Sequence, residues 1–240
     1  MNYETYDNNR STRIRNLINS FDTIDYDIFK QIKYDNKLPK PLNYNFLDIN
    51  VLWEIDPLKY PKLSDVILNI QNWDMATDSN SVGAANYAVL YYTLINNFKG
   101  IKHKKIFDKI EIIDLITHTK NHLLEHFGSV NIKLGDFQKL VRGNKEIGIF
   151  GLPDVITAMK GTKYKDGKIK ITHGESYISL VKFKDDKVEI ETIISYGASD
   201  NRGSKHYNDQ MDLYSKFKTK KMSLDKKEVY SKVVKVYNPE

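Results

Sequence analysis

Three histidines, His118, His122 and His126, recur every four residues inside a helical pattern. That spacing sets them on one face of a helix, the arrangement by which neighbouring imidazoles reach a common metal ion. A metal site also needs an acidic or histidine group from a second element, and none can be matched to this face. The face lies opposite the apolar stripe, so a solvated histidine ridge is expected and no metal ligand is assigned. Ser176 stands in Gly174-Glu175-Ser176-Tyr177-Ile178. A nucleophile elbow needs a second glycine two residues after the serine, and Ile178 occupies that place. Asp74, beside Trp73, suits a cap or a salt bridge, and Trp73 suits a core anchor. Cysteine is absent, which excludes disulfides and thiolate metal sites.

The elements that would carry such groups follow from periodicity. Residues 8–18 begin with an N-cap and continue as a helix with Ile14, Leu17 and Ile18 facing inward. Residues 25–32 form a second short helix with an Ile28, Phe29, Ile32 stripe. The prolines and Asn/Tyr residues between 34 and 50 mark an irregular connector, and 49–55 fits strand or helix equally. Residues 61–70 are helical, as are 82–98, which carry small residues for close packing and Ser79 or Ser81 as cap. A long helix spans 110–127 with Ile113, Ile116, Leu123, Leu124 and Phe127 as its core face. Alternation of apolar and polar residues predicts one strand over 168–183, a turn at Asp185-Asp186 and a second strand over 187–194. A polar loop leads to a short amphipathic helix, 206–214, with Tyr207, Met211 and Tyr214 on one face.

Composition bounds the function. The chain has 240 residues, 40% hydrophobic and 28% charged, which is enough for one large or two small domains with a sizeable core. No apolar run is long enough to span a membrane, and residues 1–20 carry no apolar signal segment. The net charge of +6 comes from lysines that are scattered and often alternate with Asp or Glu, so a solvated surface is expected and no nucleic-acid partner.

Three landmarks give the chain a relative. Gly-Glu-Ser-Tyr at 174–177, Tyr-Gly-Ala-Ser at 196–199 and His-Tyr-Asn-Asp-Gln-Met-Asp-Leu-Tyr at 206–214 resemble, in order and spacing, the C-terminal end of penicillin acylases. Acyl-homoserine-lactone and aculeacin-type acylases share the pattern. The resemblance continues into residues 220–229, where the family places a cap and a last short helix. The Trp73-Asp74 stretch between two helices is a second landmark, and Gly135-Asp136-Phe137-Gln138 is a third, similar to a Gly-Asp-x-Gln segment of the homoserine-lactone acylases. From the residues alone the last two are packing features, Asp136 being the acidic group at a helix start.

The resemblance implies an N-terminal-nucleophile amidohydrolase and an α+β fold. The chain would be the C-terminal part of a four-layer α/β/β/α sandwich, with a mostly helical part over 1–145. Antiparallel strands and C-terminal helices over 146–240 would complete it. In this family the nucleophile is a serine at the start of a mature chain, with its own amino group as base. Met1 and Asn2 supply no such hydroxyl, and although Gly128-Ser129 and Gly203-Ser204 mimic the cleavage dipeptide, neither serine is followed by the several hundred residues the family requires. No catalytic residue is therefore assigned. The nucleophile, the oxyanion asparagine and most ligands of the family's calcium site are expected upstream of Met1; Asp7 matches no ligand position. Arg10 matches an arginine that lies near the substrate's acyl group or carboxylate in the family. Two readings stand: it positions an anionic or amide group through its planar fork, or it is a surface arginine at a helix start. Arg13 and Arg15 are expected to be solvated. The implied partners are the upstream remainder of the acylase (the α subunit and the N-terminal half of the β subunit) and a small N-acyl substrate. The implied location of the parent enzyme is periplasmic or secreted. The alternative function is a non-catalytic binding module, or a degenerate relic, on the acylase scaffold.

Overall fold

A run of small and apolar residues, Gly83-Ala84-Ala85 through Leu94, makes one helix that is buried nearly all round, and the first part of the chain is built on it. The computed structural model describes residues 6–97, 104–185 and 187–236. The chain divides into two compact units, Met1–Gly174 and Glu175–Glu240. The 145/146 boundary, drawn between a mostly helical part and a strand-bearing part, lies inside the first of these units. Of the sequence expectations, Met1, Asn2, Phe98 and Asp186 lie outside the described residues.

The first unit contains α1 (Asn9–Asn19), α2 (Tyr26–Lys33), β1 (Leu47–Asp48), α3 (Ser64–Gln71), α4 (Val82–Asn97), β2 (Lys105–Ile106), α5 (Lys109–Phe127), α6 (Leu134–Phe137), β3 (Gln138–Arg142), β4 (Lys145–Gly148), β5 (Lys160–Lys163) and β6 (Ile169–His173). Residues Asn50–Glu54, ambiguous in sequence, form a 3-10 turn. Ser81 Oγ accepts the Ala84 amide at the start of α4. Gly83 lets α4 approach Trp73, because a Cβ there would lie 2.4 Å from the Trp73 Cβ. Trp73 is buried and donates from Nε1 to Ala76 O at 2.7 Å, as suits a core anchor. Asp74 bonds Lys37 Nζ at 2.8 Å and caps the Ala76 amide. α5 opens with a reciprocal capping box between Asp108 and Glu111 and ends at Gly128, whose φ of 68° is the left-handed cap that favours glycine. Its core face is Ile112, Leu115, Ile116 and Leu123; Leu124, expected inside, is exposed.

β3 to β6 form one sheet in the order β4-β3-β6-β5, with β3 and β6 parallel and the other pairs antiparallel. β1 and β2 are also parallel; within 146–240, where antiparallel strands are expected, β6 departs from the expectation by its parallel pairing with β3. The close approach of α6 to β4 rests on two glycines: a Cβ on Gly148 would lie 2.7 Å from Gly135 O. Gln138 is fully buried, and its Nε2 donates to Phe150 O at 3.1 Å and Gly151 O at 2.8 Å.

The second unit holds β7 (Tyr177–Lys184), β8 (Lys187–Ile194), α7 (Met211–Tyr214), β9 (Lys220–Met222) and α8 (Lys226–Ser231). The strands form an antiparallel sheet, β7-β8-β9. The stretch 168–183, read from alternation as one strand, is two: Ile169–His173 belongs to the first unit's sheet and Tyr177–Lys184 to the second. Apolar residues fall at odd positions in Ile169 and Ile171 and at even positions in Ile178 and Leu180, and residues 172–176 between them are all polar or small, so the phase of the alternation changes where the ladder breaks. The 206–214 helix shrinks to Met211–Tyr214, although Met211 and Tyr214 are buried.

Candidate functional site

Arg10 is placed by the first turn of α1. Asn8 and Ser11 cap that turn reciprocally, the Asn8 side chain accepting the Ser11 amide at 2.9 Å and the Ser11 hydroxyl accepting the Asn8 amide at 2.8 Å. Asn9, next in the chain, is fully buried and ties α1 to two distant segments. Its amide and its Nδ2 both donate to Asp154 Oδ2 at 3.0 Å, and its Oδ1 accepts the Asn43 amide at 2.6 Å. Arg10 donates from Nε to Val155 O at 3.0 Å. One prong of its fork is thus spent on holding the 154–155 turn. Its terminal nitrogens have no hydrogen-bond partner among the described residues.

Asp154 is the acidic centre of this arrangement. Burial pushes its carboxyl above the ordinary value of 3.8, and the two Asn9 donors and the Arg10 charge pull partly the other way. It stands at φ 67°, the left-handed region that aspartate tolerates better than most residues. Around it lies a tyrosine cluster. The Tyr44 and Tyr87 hydroxyls are 2.7 Å apart, and the Tyr44 and Tyr91 rings are 5.5 Å apart. Burial pushes all three phenols up, with the Asp154 charge adding to the shift, so they stay protonated at neutral pH and serve as hydrogen-bond donors rather than bases. Beside Tyr91 and Pro153 opens a cavity of about 300 Å³, lined by Phe46, Leu94, Ile95 and Lys160. Arg10 does not line it. The arrangement offers donors, a guanidinium and an apolar wall; it holds no nucleophile.

The serines considered from sequence lie elsewhere. Ser129 Oγ accepts the Asn131 amide in the turn after α5, and Ser204 Oγ accepts the His206 amide. Neither hydroxyl bonds a histidine or a carboxylate among the described residues, and the same holds for Ser176. Three expectations are corrected. Arg13 and Arg15 are not simply solvated: Arg13 makes a two-pronged pair with Asp35, at 3.0 and 2.6 Å, which joins the end of α2 to α1, and Arg15 pairs with Asp7 at 2.6 and 2.7 Å. Nor are Ile18 and Phe29 inward, since both are exposed. The histidines also depart from a plain solvated ridge. His118 is exposed, but His122 is half-buried, and its ring lies 4.5 Å from that of His126 and edge-on to Phe137 at 6.1 Å. Helix twist explains this: successive i+4 residues drift around α5, so the C-terminal pair turns toward β5 and β6 while His118 does not. Among the described residues no group of three or more His, Asp or Glu side chains could hold a metal ion. Asp7, close to the start of the chain, is engaged by Arg15 and Ser11.

Sequence reasoning missed Asn9 and Asp154. Asn9 follows a cap residue and Asp154 closes a Gly151-Leu152-Pro153-Asp154 segment, and neither pattern reveals a partner so far along the chain.

Comparison with known proteins gives this geometry its setting. Residues 1–231 match the penicillin amidase family, and the chain belongs to that family. Among its relatives is acyl-homoserine lactone acylase PvdQ of Pseudomonas syringae pv. syringae, 33% identical over 87 residues, which is 35% of this chain and 11% of that protein. The same enzyme of Pseudomonas savastanoi pv. phaseolicola matches with 33% identity over 87 residues, again 35% of this chain and 11% of that one. The matched stretch thus spans about a tenth of the relatives' length. The thermostable penicillin G acylase of Alcaligenes faecalis aligns over 99% of this chain and 54% of its own, at 11% identity and a TM-score of 0.40, a likeness too slight to carry an argument about fold. Among the described residues no helix is long and apolar enough to cross a membrane.

Proposed function

We propose that this chain is the C-terminal part of an N-terminal-nucleophile amidohydrolase whose complete form hydrolyses the amide bond of an N-acyl substrate. An acyl-homoserine lactone, or a side chain on a β-lactam nucleus, is the substrate class. The observation that carries the reading is Arg10: it sits at the first turn of α1, anchored through Nε, with two terminal nitrogens left to grip a planar acceptor. Family membership over 1–231 and the PvdQ relatives support the amide chemistry. In this reading the serine nucleophile, the oxyanion asparagine and the calcium ligands come from the upstream remainder of the acylase. The chain's strands contribute to a four-layer α/β/β/α sandwich, and the parent enzyme works in the periplasm or outside the cell. Support for a covering partner comes from the β7-β8-β9 sheet. Tyr177, Val181 and Phe183 share one face of β7 with their cross-strand neighbours Ile194, Ile190 and Val188, and Tyr177, Val181, Phe183, Val188 and Met222 are all exposed.

The test has two parts. The chain alone, assayed on a chromogenic phenylacetyl amide and on a long-chain acyl-homoserine lactone, is expected to give no turnover; turnover that Ser129→Ala abolishes would overturn the reading. Joined to the upstream segments of an acylase of this family, it should regain activity. Arg10→Ala should then lower kcat/KM by roughly ten- to a hundredfold, the worth of one charge-assisted contact, with Arg10→Lys only partly restoring it. Arg15→Ala, which removes an exposed ion pair, is the control. Equal kcat/KM for the Arg10 and Arg15 variants, with unchanged melting, reduces Arg10 to a structural clip for Val155.

A further inference from the structure

The C-terminal half of α5 and the β5–β6 hairpin enclose a second cavity of about 300 Å³, which shares no lining residue with the one beside Pro153. Its construction is specific. Gly167, in the hairpin turn at φ 69°, presents its carbonyl to His122 Nε2 at 2.8 Å. Its Cα lies so close to His126 that a Cβ would fall 2.3 Å from the imidazole Cγ. The carbonyl can only accept, so the His122 bond fixes the proton on Nε2. His122 is thus a positioning residue that latches the hairpin to the helix. Burial lowers its pKa, and Lys163 and His126 push the same way.

Charge decides what the cavity suits. Its lining includes His122, His126, Lys163 and Lys168 and no aspartate or glutamate. The nearby carboxylates are already engaged from outside. Glu146 bonds Lys165 at 3.0 Å and lies 3.9 Å from Lys168, whose Nζ is also 3.8 Å from Asp166. Lys163 has no ion pair among the described residues. The buried end is apolar and aromatic, with Val89, Phe137 and Ile169, and the Tyr92 hydroxyl, which accepts the Gly161 amide at 2.9 Å, keeps its own hydrogen to donate. The volume is at the small end of ligand pockets, roughly 300–1,000 Å³.

We infer that this cavity, between α5 and the β5–β6 hairpin, is a binding site for a small organic carboxylate. The apolar body lies against Phe137, Val89 and Ile169, and the carboxylate faces Lys163 and His126. An inorganic dianion is disfavoured because it would leave the apolar end empty and has one unpaired lysine to meet it.

The probes are benzoate and inorganic phosphate, titrated into the full chain with chemical shifts of the histidine ring protons as readout. Benzoate is expected to saturate and to shift His122 and His126 but not His118. Lys163→Glu, at an exposed position, should weaken benzoate at least tenfold with unchanged melting. Asn96→Trp, at the exposed mouth on α4, should abolish saturation by bulk alone. Absence of saturation by benzoate, saturation by phosphate at equal or lower concentration, or equal benzoate affinity in Lys163→Glu would each overturn the inference.

Discussion

Asp154→Ala is the substitution to which the Arg10 neighbourhood is most exposed. The parent carboxylate receives both the amide and the Nδ2 of Asn9, a residue with no solvent exposure. Alanine leaves those donors stranded where water cannot reach them, at about 1–3 kcal/mol for a buried unsatisfied polar group. It must also adopt φ 67°, at a further cost of about 1–2 kcal/mol for a residue with a Cβ and no compensating polar group. The sum, about 2–5 kcal/mol, is a large fraction of the 5–15 kcal/mol by which a domain is usually stable. Asp154→Asn separates the contributions. The amide keeps an acceptor oxygen for Asn9, tolerates the left-handed backbone and removes the charge that burial disfavours. At neutral pH it should match or exceed the parent in stability. The pH dependence has a definite sign. The folded pKa of Asp154 is raised, so its contribution is fully present below the ordinary value of 3.8 and is lost as pH rises through the raised value. The parent should therefore gain on the Asn variant as pH falls from neutral. Urea unfolding of the three proteins at two pH values measures this. An Ala variant within about 0.5 kcal/mol of the parent, or a parent–Asn difference that does not change with pH, would refute the burial argument.

Three further outcomes are expected. Gly148→Ala forces a Cβ to 2.7 Å from the Gly135 carbonyl and should cost about 1–3 kcal/mol through overpacking, seen as a lowered urea midpoint. His122 has a lowered folded pKa, so its contribution is present above the ordinary 6.5 and is lost as pH falls below it. The groups that face it are Glu125, His126 and Lys163, and His122→Gln should remove this acid loss below about pH 6.5 while keeping a donor for Gly167 O. The exposed face of β7 should make the isolated chain self-associate, and Val181→Lys with Phe183→Lys should shift it toward monomer in size-exclusion chromatography; a parent that already elutes as a sharp monomer would remove that support for a missing cover.

Those outcomes also show where sequence patterns carry structural information and where they lose it. Elements with their own chemistry were legible: the long helix α5, the buried small-residue helix α4, and Trp73 as an anchor all follow from local residue types. The break at 174–176 is marked only by a change of phase, from apolar residues at 169 and 171 to apolar residues at 178 and 180, which alternation read over the stretch as a whole passes over. Ile18 and Phe29 illustrate the opposite error. An apolar stripe predicts a buried face only if something covers it, and within the described residues these two side chains are covered only about half.

The site residues divide along the same line. Arg10 came from a motif match, but its posture depends on Val155, far along the chain, and Asn9, which fixes that posture, looks in sequence like an ordinary residue after a cap. The histidines make the point more sharply. Spacing alone put His118, His122 and His126 on one equivalent ridge, and the hairpin turn at Gly167 separates them. It bonds one ring, presses on the second and leaves the third in water. What decides their roles is therefore a glycine 45 positions downstream of His122, at a φ only glycine adopts readily, with no period linking the two. A site assembled by such a contact belongs to the folded chain, and the test of its use is whether a ligand moves His122 and His126 while His118 stays still.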